Sequence, residues 1–474
     1  MTEIAMPESK SIHLYYPYWA IFPFDPKKIL TIGDQIIAEH VFAVHSREDI
    51  KSGFAPALSD VQFDYQANLM TIKPKYELKN SAGRVISIDQ MCRGLESSFK
   101  GTQHSAFRSI VKSVECLGDR IEVYFTKIPN NIKQLLTVPD FSIFELANLP
   151  VQSNVEQVST GPYFIVERPD KNLIKLKRNQ HYPAELVANT VDDVYYHTYP
   201  PGTVDEFIQQ CVPVTHHLVY FSGTIFPKGG EKILKDKGYR VQIFPSEYLT
   251  FLAFRPGVSE SDRKVIGNAL DLGRNLMALQ QPLSNHAFSI APADRPFGIS
   301  KAEYETLFPF TEPNAGHQPT KLSRTFSLGI YHTSVNHPYL KAIVELLTKQ
   351  FPDLEVKVIQ NYSEYNSSTD FQVNVIGISP SDPLPHLFYL IHNFPNLAAA
   401  VTDEQITAVS LIHDAEKFNQ ASKALEMKLV KERLLIPIAH FPGIVAEAPG
   451  FERDQNLAWS WGTQAWTYRI NSPK

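Results

Sequence analysis

Residues 159–183 read STGPYFIVERPDKNLIKLKRNQHYP, and this stretch constrains the fold more than any other in the chain. Gly161 and Pro162 punctuate the backbone, and Tyr163 to Val166 are strand formers. Pro169-Asp170-Lys171-Asn172 supplies a turn, and Leu173 to Leu176 returns as a second strand before Arg178, Asn179 and Tyr182 close the segment. The local pattern predicts a β-hairpin. It does not explain the particular wording on either side of the strands.

Length and composition narrow the class. A chain of 474 residues with 43% hydrophobic side chains buries large cores, and at about 100 to 200 residues per domain it divides into two or three. The 45 basic and 50 acidic side chains give a formal charge of -5, which leaves no electrostatic footprint for nucleic acid. The 34 prolines and 11% aromatic residues suit many loops, edge strands and an aromatic-lined cleft, and equally a large mixed fold rich in turns.

Cys92, Cys116 and Cys211 show no Cys-Xaa-Xaa-Cys spacing for zinc or redox chemistry. They are expected as buried or strand residues; at most one disulfide is possible, and Cys92 with Cys116 is the nearest pair in sequence. Met1 to Lys10 has neither a basic n-region nor an apolar h-region, and no run of about 18 apolar residues occurs anywhere. The compartment therefore stays open between a periplasmic protein whose signal was removed and a cytoplasmic one. Gly-Xaa-Ser-Xaa-Gly, His-Glu-Xaa-Xaa-His and Gly-Xaa-Xaa-Xaa-Xaa-Gly-Lys motifs do not occur. No cofactor is implied. His216 and His217 fall in an expected strand, where adjacent side chains point to opposite faces, so no shared metal is expected from them.

The Thr-Gly-Pro-Tyr opening and Arg-Asn-Xaa-Xaa-Tyr finish of residues 160–182 resemble a segment of the family 5 extracellular solute-binding proteins. These are the dipeptide-, oligopeptide- and nickel-binding components of bacterial ABC importers. Other stretches are similar to that family in order and pattern. Ser11 to Tyr18 reads as a first strand, Phe22 to Pro26 as a turn and Asp34 to Ala43 as a helix. Ser87 precedes a helical pattern in which Ile88, Met91 and Leu95 share one face and Asp89 sits where the first-turn dipole favours an acid. Helices are read at residues 202–211 and 232–237, with a short strand from Leu218 to Phe221. Tyr248 to Phe254 followed by Ser259 to Leu276 resembles the family's crossing strand and the helix after it. His413 to Glu432 reads as an amphipathic helix running into a second crossing strand, Leu434 to Pro442.

The resemblance implies an α/β, two-lobe periplasmic-binding-protein-like fold of the peptide-binding cluster, with a ligand cleft between lobes joined by two crossing strands. The implied division is a tail at 1–10, a discontinuous first lobe of 11–246 plus 438–474, and a second lobe of 247–437. It implies a non-enzymatic, monomeric protein that captures an oligopeptide or other small polar ligand and presents it to a membrane ABC permease. The alternative is a cytoplasmic ligand sensor on the same fold. Ligand-binding residues are expected at Phe24 and Asp25 in the opening turn, at Tyr248 and Phe251 on the first crossing, at His440 and Phe441 after the second, and at Gly377, Ile378, Ser379 and Asp382 around a strand end. In peptide-binding relatives an acid four positions before the turn proline holds the peptide's α-amino group; counting back from Pro383 reaches Ser379, a neutral hydroxyl. A charge-assisted hydrogen bond is roughly twice as strong as a neutral one, so free-peptide binding is the part of the implication this residue weakens. Asp382, directly before Pro383, also reads as a turn or helix-cap residue.

Overall fold

The hairpin is present as strands Tyr163–Asp170 and Leu173–Arg178, paired antiparallel with Tyr163 opposite Arg178. The computed structural model describes residues 11–17, 25–28, 32–47, 55–101, 108–137, 139–146, 149–150, 158–170, 172–187, 191–199, 204–280, 284–292, 295–309, 322–331, 338–359, 368–377, 383–453, 465 and 468–470. The wording around the hairpin has a mechanical purpose. Gly161 N–H donates to the Val41 carbonyl at 2.9 Å, where helix Ile32–Val41 ends. Thr160 Oγ1 accepts the Ala43 amide at 3.2 Å and donates to the Ile143 carbonyl. Ser159 Oγ lies 2.7 Å from the Tyr163 carbonyl. From the far strand, Asn179 Nδ2 donates to the Gly161 carbonyl at 3.0 Å. A Cβ on Gly161 would stand 2.6 Å from the His40 carbonyl oxygen and 2.7 Å from the Phe42 nitrogen, so only glycine allows this approach.

The hairpin forms one edge of an eleven-stranded sheet. From the opposite edge the order is Glu355–Ile359, Ser327–Tyr331, Phe371–Gly377, Arg240–Phe254, Leu435–Glu447, Leu218–Ser222, Ser11–Tyr16, Asp193–Thr198, Leu173–Arg178 and Tyr163–Asp170, with Asn285–His286 added on Leu435–Glu447. Ser11–Tyr16 runs parallel to both its neighbours, and so does Ser327–Tyr331 at the other end. Alternation sets the faces: Ile12, Leu14 and Tyr16 are buried on one side while His13 and Tyr15 are half-buried on the other. Burying a side chain such as Leu14 contributes about 2 kcal/mol. Helix Ala415–Lys431, capped by Asp414 Oδ1 accepting the Lys417 amide at 2.9 Å, packs Phe418, Leu425, Leu429 and Val430 inward.

A second, four-stranded sheet lies within residues 59–125, with the order Ser59–Asp64, Leu69–Pro74, Arg120–Phe125, Val111–Leu117. Helix Ile88–Phe99 covers it after a capping box at Ser87 and Gln90, burying Met91, Leu95 and Phe99. Cysteine usage differs from the simple buried expectation: Cys92 on this helix is disulfide-bonded to Cys116 on the edge strand, and only Cys211 is free and buried among the described residues. Three further differences are instructive. The first crossing strand begins at Arg240, well before Tyr248, because Pro245 interrupts the apolar pattern without ending the strand. Helix Pro338–Gln350 and strand Glu355–Ile359 are present where the sequence reading assigns no element. His216 and His217 precede the strand; the His216 amide donates to the Val212 carbonyl at 2.8 Å in a turn after Pro213, so the opposite-face argument does not govern them.

Gly161→Ala drives a methyl into backbone atoms that cannot yield. We expect a loss of about 2–3 kcal/mol in urea unfolding, against less than about 0.5 kcal/mol for Gly118→Ala, whose Cβ would meet nothing within 4 Å. Equal effects of the two substitutions would remove the fastening role assigned to Gly161.

Candidate functional site

Two long strands, Arg240–Phe254 and Leu435–Glu447, pair antiparallel along most of their length and carry the chain between the two halves of the large sheet. Their pairing runs from Arg240 opposite Glu447 to Phe244 opposite Gly443, shifts register, and resumes with Tyr248 opposite Phe441. The neighbours change at the same place. Leu218–Ser222 pairs only with residues 443–447, whereas Phe371–Gly377 pairs only with residues 248–254. The carboxyl ends of these neighbours, Ser222 opposite Gly443 and Gly377 opposite Tyr248, therefore meet at the register shift from opposite halves. The parallel strands ending at Tyr16, Thr198 and Tyr331 share those two directions. In open α/β sheets the crevice outside the carboxyl ends of strands is where ligands bind.

The turn after Ser222 hugs the second crossing. Gly223 N–H donates to the Pro442 carbonyl at 2.8 Å, and a Cβ there would lie 2.6 Å from Pro442 Cδ. Ser222 Oγ and Thr224 Oγ1 are 2.8 Å apart beside it. Tyrosines fill the buried face leading to this point: Tyr196 stacks on Tyr16 at 5.0 Å, Tyr16 on Tyr220 at 5.7 Å, and the Tyr220 hydroxyl is hydrogen-bonded to that of Tyr248. That bond spans the two halves, since Tyr220 stands in Leu218–Ser222 and Tyr248 begins the pairing with Phe371–Gly377.

The residues expected at the site separate into three groups. Tyr248 and Phe441 face each other on the face shared with Tyr220, and Phe441 meets Tyr339 edge-to-face at 4.9 Å. Gly377 is the strand-end partner of Tyr248. Phe251 and His440 are on the reverse face: Phe251 packs on Phe394 at 5.7 Å within a core built with the helices after residue 384, and His440 Nε2–H donates to the Ser289 carbonyl at 3.1 Å. Asp25 stands in the opening turn, where Oδ1 accepts the Lys27 amide at 2.9 Å and Oδ2 lies 3.6 Å from Lys27 Nζ, which reaches Ser97 Oγ at 3.0 Å. Phe24, Ile378, Ser379 and Asp382 lie outside the described residues. Tyr220, Tyr339 and the Gly223–Pro442 contact were not anticipated. Tyr16, Tyr196 and Tyr220 sit at buried positions of three strands, and that recurrence is the one signal that pointed to the row.

Residues 284–292 brace the reverse face of the second crossing. Asn285–His286 pairs with His440 and Ala439, and buried Glu426 accepts from Ser289 Oγ at 2.7 Å and from the Ile290 amide. Burial pushes the Glu426 carboxyl up to about 7, against the opposing pull of these hydrogen bonds.

Because the folded state raises the Glu426 pKa above its ordinary 4.5, its contribution to stability is complete below that value and is lost as pH rises through 7. The stability of the wild type relative to Glu426→Gln is expected to fall by roughly 1 kcal/mol per pH unit across this window, as read by urea unfolding at several pH values; a difference independent of pH would contradict the assignment. For the tyrosine pair, a double-mutant cycle of Tyr220→Phe and Tyr248→Phe is expected to give a coupling of about 0.5–1.5 kcal/mol in stability. Strict additivity would mean that the hydroxyls do not cooperate across the crossing.

No family model matches the sequence, and no curated protein matches it. Solved structures do. The Escherichia coli murein tripeptide-binding protein MppA superposes with a TM-score of 0.75 at 15% identity, covering 98% of this chain and 99% of that one. The oligopeptide-binding protein AppA from Bacillus subtilis, in complex with a nonapeptide, gives 0.74 at 14% identity with 97% and 98% covered. An unliganded open form of MppA gives 0.60 at 14% identity with 98% of each chain covered. The match covers nearly the whole chain. The chain therefore has the two-lobe α/β fold of the periplasmic binding proteins of the peptide-binding cluster.

Proposed function

We propose that this protein is a solute-binding protein, a divergent relative of the family 5 importer components, that captures a ligand by closing two lobes and performs no chemical step. The observation that carries the reading is the coincidence at one place of the register shift between Phe244 and Tyr248, the change of neighbours on both crossing strands, and the carboxyl ends Ser222 and Gly377. A hinge and a crevice occupy the same residues. Ligand contacts with both lobes favour the closed arrangement, and only their differential affinity shifts the equilibrium. We place the first crossing within 244–248 and the second within 441–443, a few residues beyond the sequence-based division at 437/438. The lobes are then 11–246 with the C-terminal segment and the region between the crossings. The better superposition on one MppA structure than on its unliganded open form supports a closed arrangement of the lobes in this chain.

The proposed cargo is an oligopeptide or another small polar molecule, handed as a single-chain complex to a membrane ABC permease. Tyr248, Gly377 and Phe441 are the described residues best placed to border it. The Cys92–Cys116 disulfide supports an oxidising compartment outside the cytoplasm over the cytoplasmic sensor, because glutathione keeps most cytosolic thiols reduced.

Native mass spectrometry of protein purified without denaturation is expected to reveal a bound small species. Small-angle scattering should show expansion when that species is removed and contraction when a defined mixture of short peptides or the recovered species is returned. A preparation that is consistently ligand-free, with a radius of gyration unmoved by either addition, would sink the proposal.

A further inference from the structure

Away from the crevice, the outer face of the first-lobe sheet carries a ladder of stacked rings: Tyr195 on His13 at 4.6 Å, His13 on His197 at 5.2 Å, His197 on Tyr15 at 4.4 Å, and Tyr15 on His216 at 4.5 Å. His217 meets His13 edge-on at 5.4 Å and stacks on Phe451 at 4.9 Å. Strands Ser11–Tyr16 and Asp193–Thr198 contribute the first four rings, and the turn after Cys211 contributes His216 and His217.

The hydrogen bonds of these histidines require unprotonated ring nitrogens. His217 Nδ1 accepts the His13 backbone N–H at 3.2 Å while its Nε2–H donates to the Val214 carbonyl at 3.3 Å. His216 Nδ1 accepts the Val212 backbone N–H at 3.3 Å. His13 Nδ1 and His197 Nε2 are 2.9 Å apart, so one ring donates and the other must accept. A second proton on His217 Nδ1, or on the accepting ring of the His13–His197 pair, would set N–H against N–H, and one on His216 Nδ1 would turn to Thr215 Oγ1, 2.9 Å away, and release the Val212 amide. Among the described residues no group of three or more potential ligands is arranged for a metal ion, so protonation is the chemistry this cluster can respond to.

We propose that His13, His197, His216 and His217 form an acid-released lock that fastens the first strand to its neighbour and to the 211–217 turn in neutral solution and opens on acidification. The surroundings do not offset the added charge. Lys175 Nζ lies 5.6 Å from the Tyr195 ring, and Lys237 Nζ, held by the Gln209 and Cys211 carbonyls, adds positive potential at His216. Asp170 is the one acid acting on His197. The remaining titratable neighbours, Tyr15, Tyr239 and the Cys211 thiol, are all pushed up by burial and stay neutral. Burial first, and the neighbouring imidazoles second, lower His13 and hold His197 and His217 near about 4. Each folded-state pKa thus lies below the ordinary 6.5, and the stabilisation present above that pH is lost as pH falls towards 4. The lock stands whether or not the crevice takes a ligand.

The test is amide hydrogen exchange at His13 and Val212 from pH 7.5 to 4.5, corrected for intrinsic rates, in the full chain and in His216→Asn/His217→Asn, whose Oδ1 atoms accept at the Nδ1 positions without titrating. Protection in the wild type is expected to fall at least tenfold on acidification and to hold within about threefold in the double variant. Wild-type protection that is flat with pH, or an equal fall in both proteins, would overturn the lock. Should the variant not fold, imidazole nitrogen shifts of the wild type decide: His217 protonated only on Nε2 and titrating below 6.5 supports it, and ordinary titration of His216 and His217 refutes it.

Discussion

The antiparallel pairing of Arg240–Phe254 with Leu435–Glu447 is the constraint on which the rest of the molecule depends. From Tyr248 onward both faces of the first of these strands are buried, with Tyr248, Leu252 and Phe254 in one core and Leu249, Phe251 and Ala253 in another. A one-residue slip of the first strand would exchange those two sets of side chains, so burial pins its register, with a second, one-residue irregularity between Thr250 and Phe251 taken up by the partner strand. The residues between Phe244 and Tyr248 are the only place on this pair where both the partner register and the outside neighbours change together. The same few residues receive the carboxyl ends of strands from both sides.

What precedes the second crossing explains its rigidity. Helix Ala415–Lys431 ends and the chain turns through Arg433 at φ 51°, a left-handed conformation uncommon for a side chain other than glycine or asparagine. The side chain holds it there. Arg433 is fully buried, pairs with Asp271 at 2.5 Å, donates to the Tyr304 hydroxyl at 2.6 Å and lies 3.4 Å over the Phe308 ring. A buried ion pair adds little net stability against apolar replacements of the same volume, but removing one partner strands the other charge. The network therefore acts to specify the turn that launches Leu435–Glu447, while the Gly161 clamp does the equivalent for the hairpin edge of the other lobe.

Much of this architecture was legible because apolar periodicity and caps agreed. Ser87 ahead of Ile88, Met91 and Leu95, and the amphipathic pattern of residues 413–432, both mark helices that form, the second beginning at Ala415. The hairpin was legible as local structure, and its wording as a resemblance, yet the reason for the wording is tertiary: the glycine meets a helix end more than a hundred residues earlier, which no local pattern encodes. The extension of the first crossing strand back to Arg240 was hidden by Pro245, and the tyrosine row by the fact that its members lie on strands far apart in sequence. For the crevice, aromatic residues near the crossings were readable from the strand positions. Which of the two faces leads to the crevice was not, because that depends on the strands from elsewhere in the sequence that end beside Tyr248 and Gly443.

Buried imidazoles and a buried carboxyl of this chain respond to protons in opposite senses. In the first lobe, buried His40 donates from Nδ1 to the Ile36 carbonyl at 2.7 Å and accepts the Ala465 amide on Nε2 at 3.2 Å, the same neutral arrangement seen in His217. Burial holds His40 and His45 at about 4, below the 6.5 of a free imidazole, so their support weakens as pH falls between those values. Behind the second crossing strand the buried Glu426 carboxyl runs the other way, raised to about 7 by burial, so that its support is complete in acid. Acidification therefore weakens the support that His40 and His45 give while relieving the buried charge of Glu426.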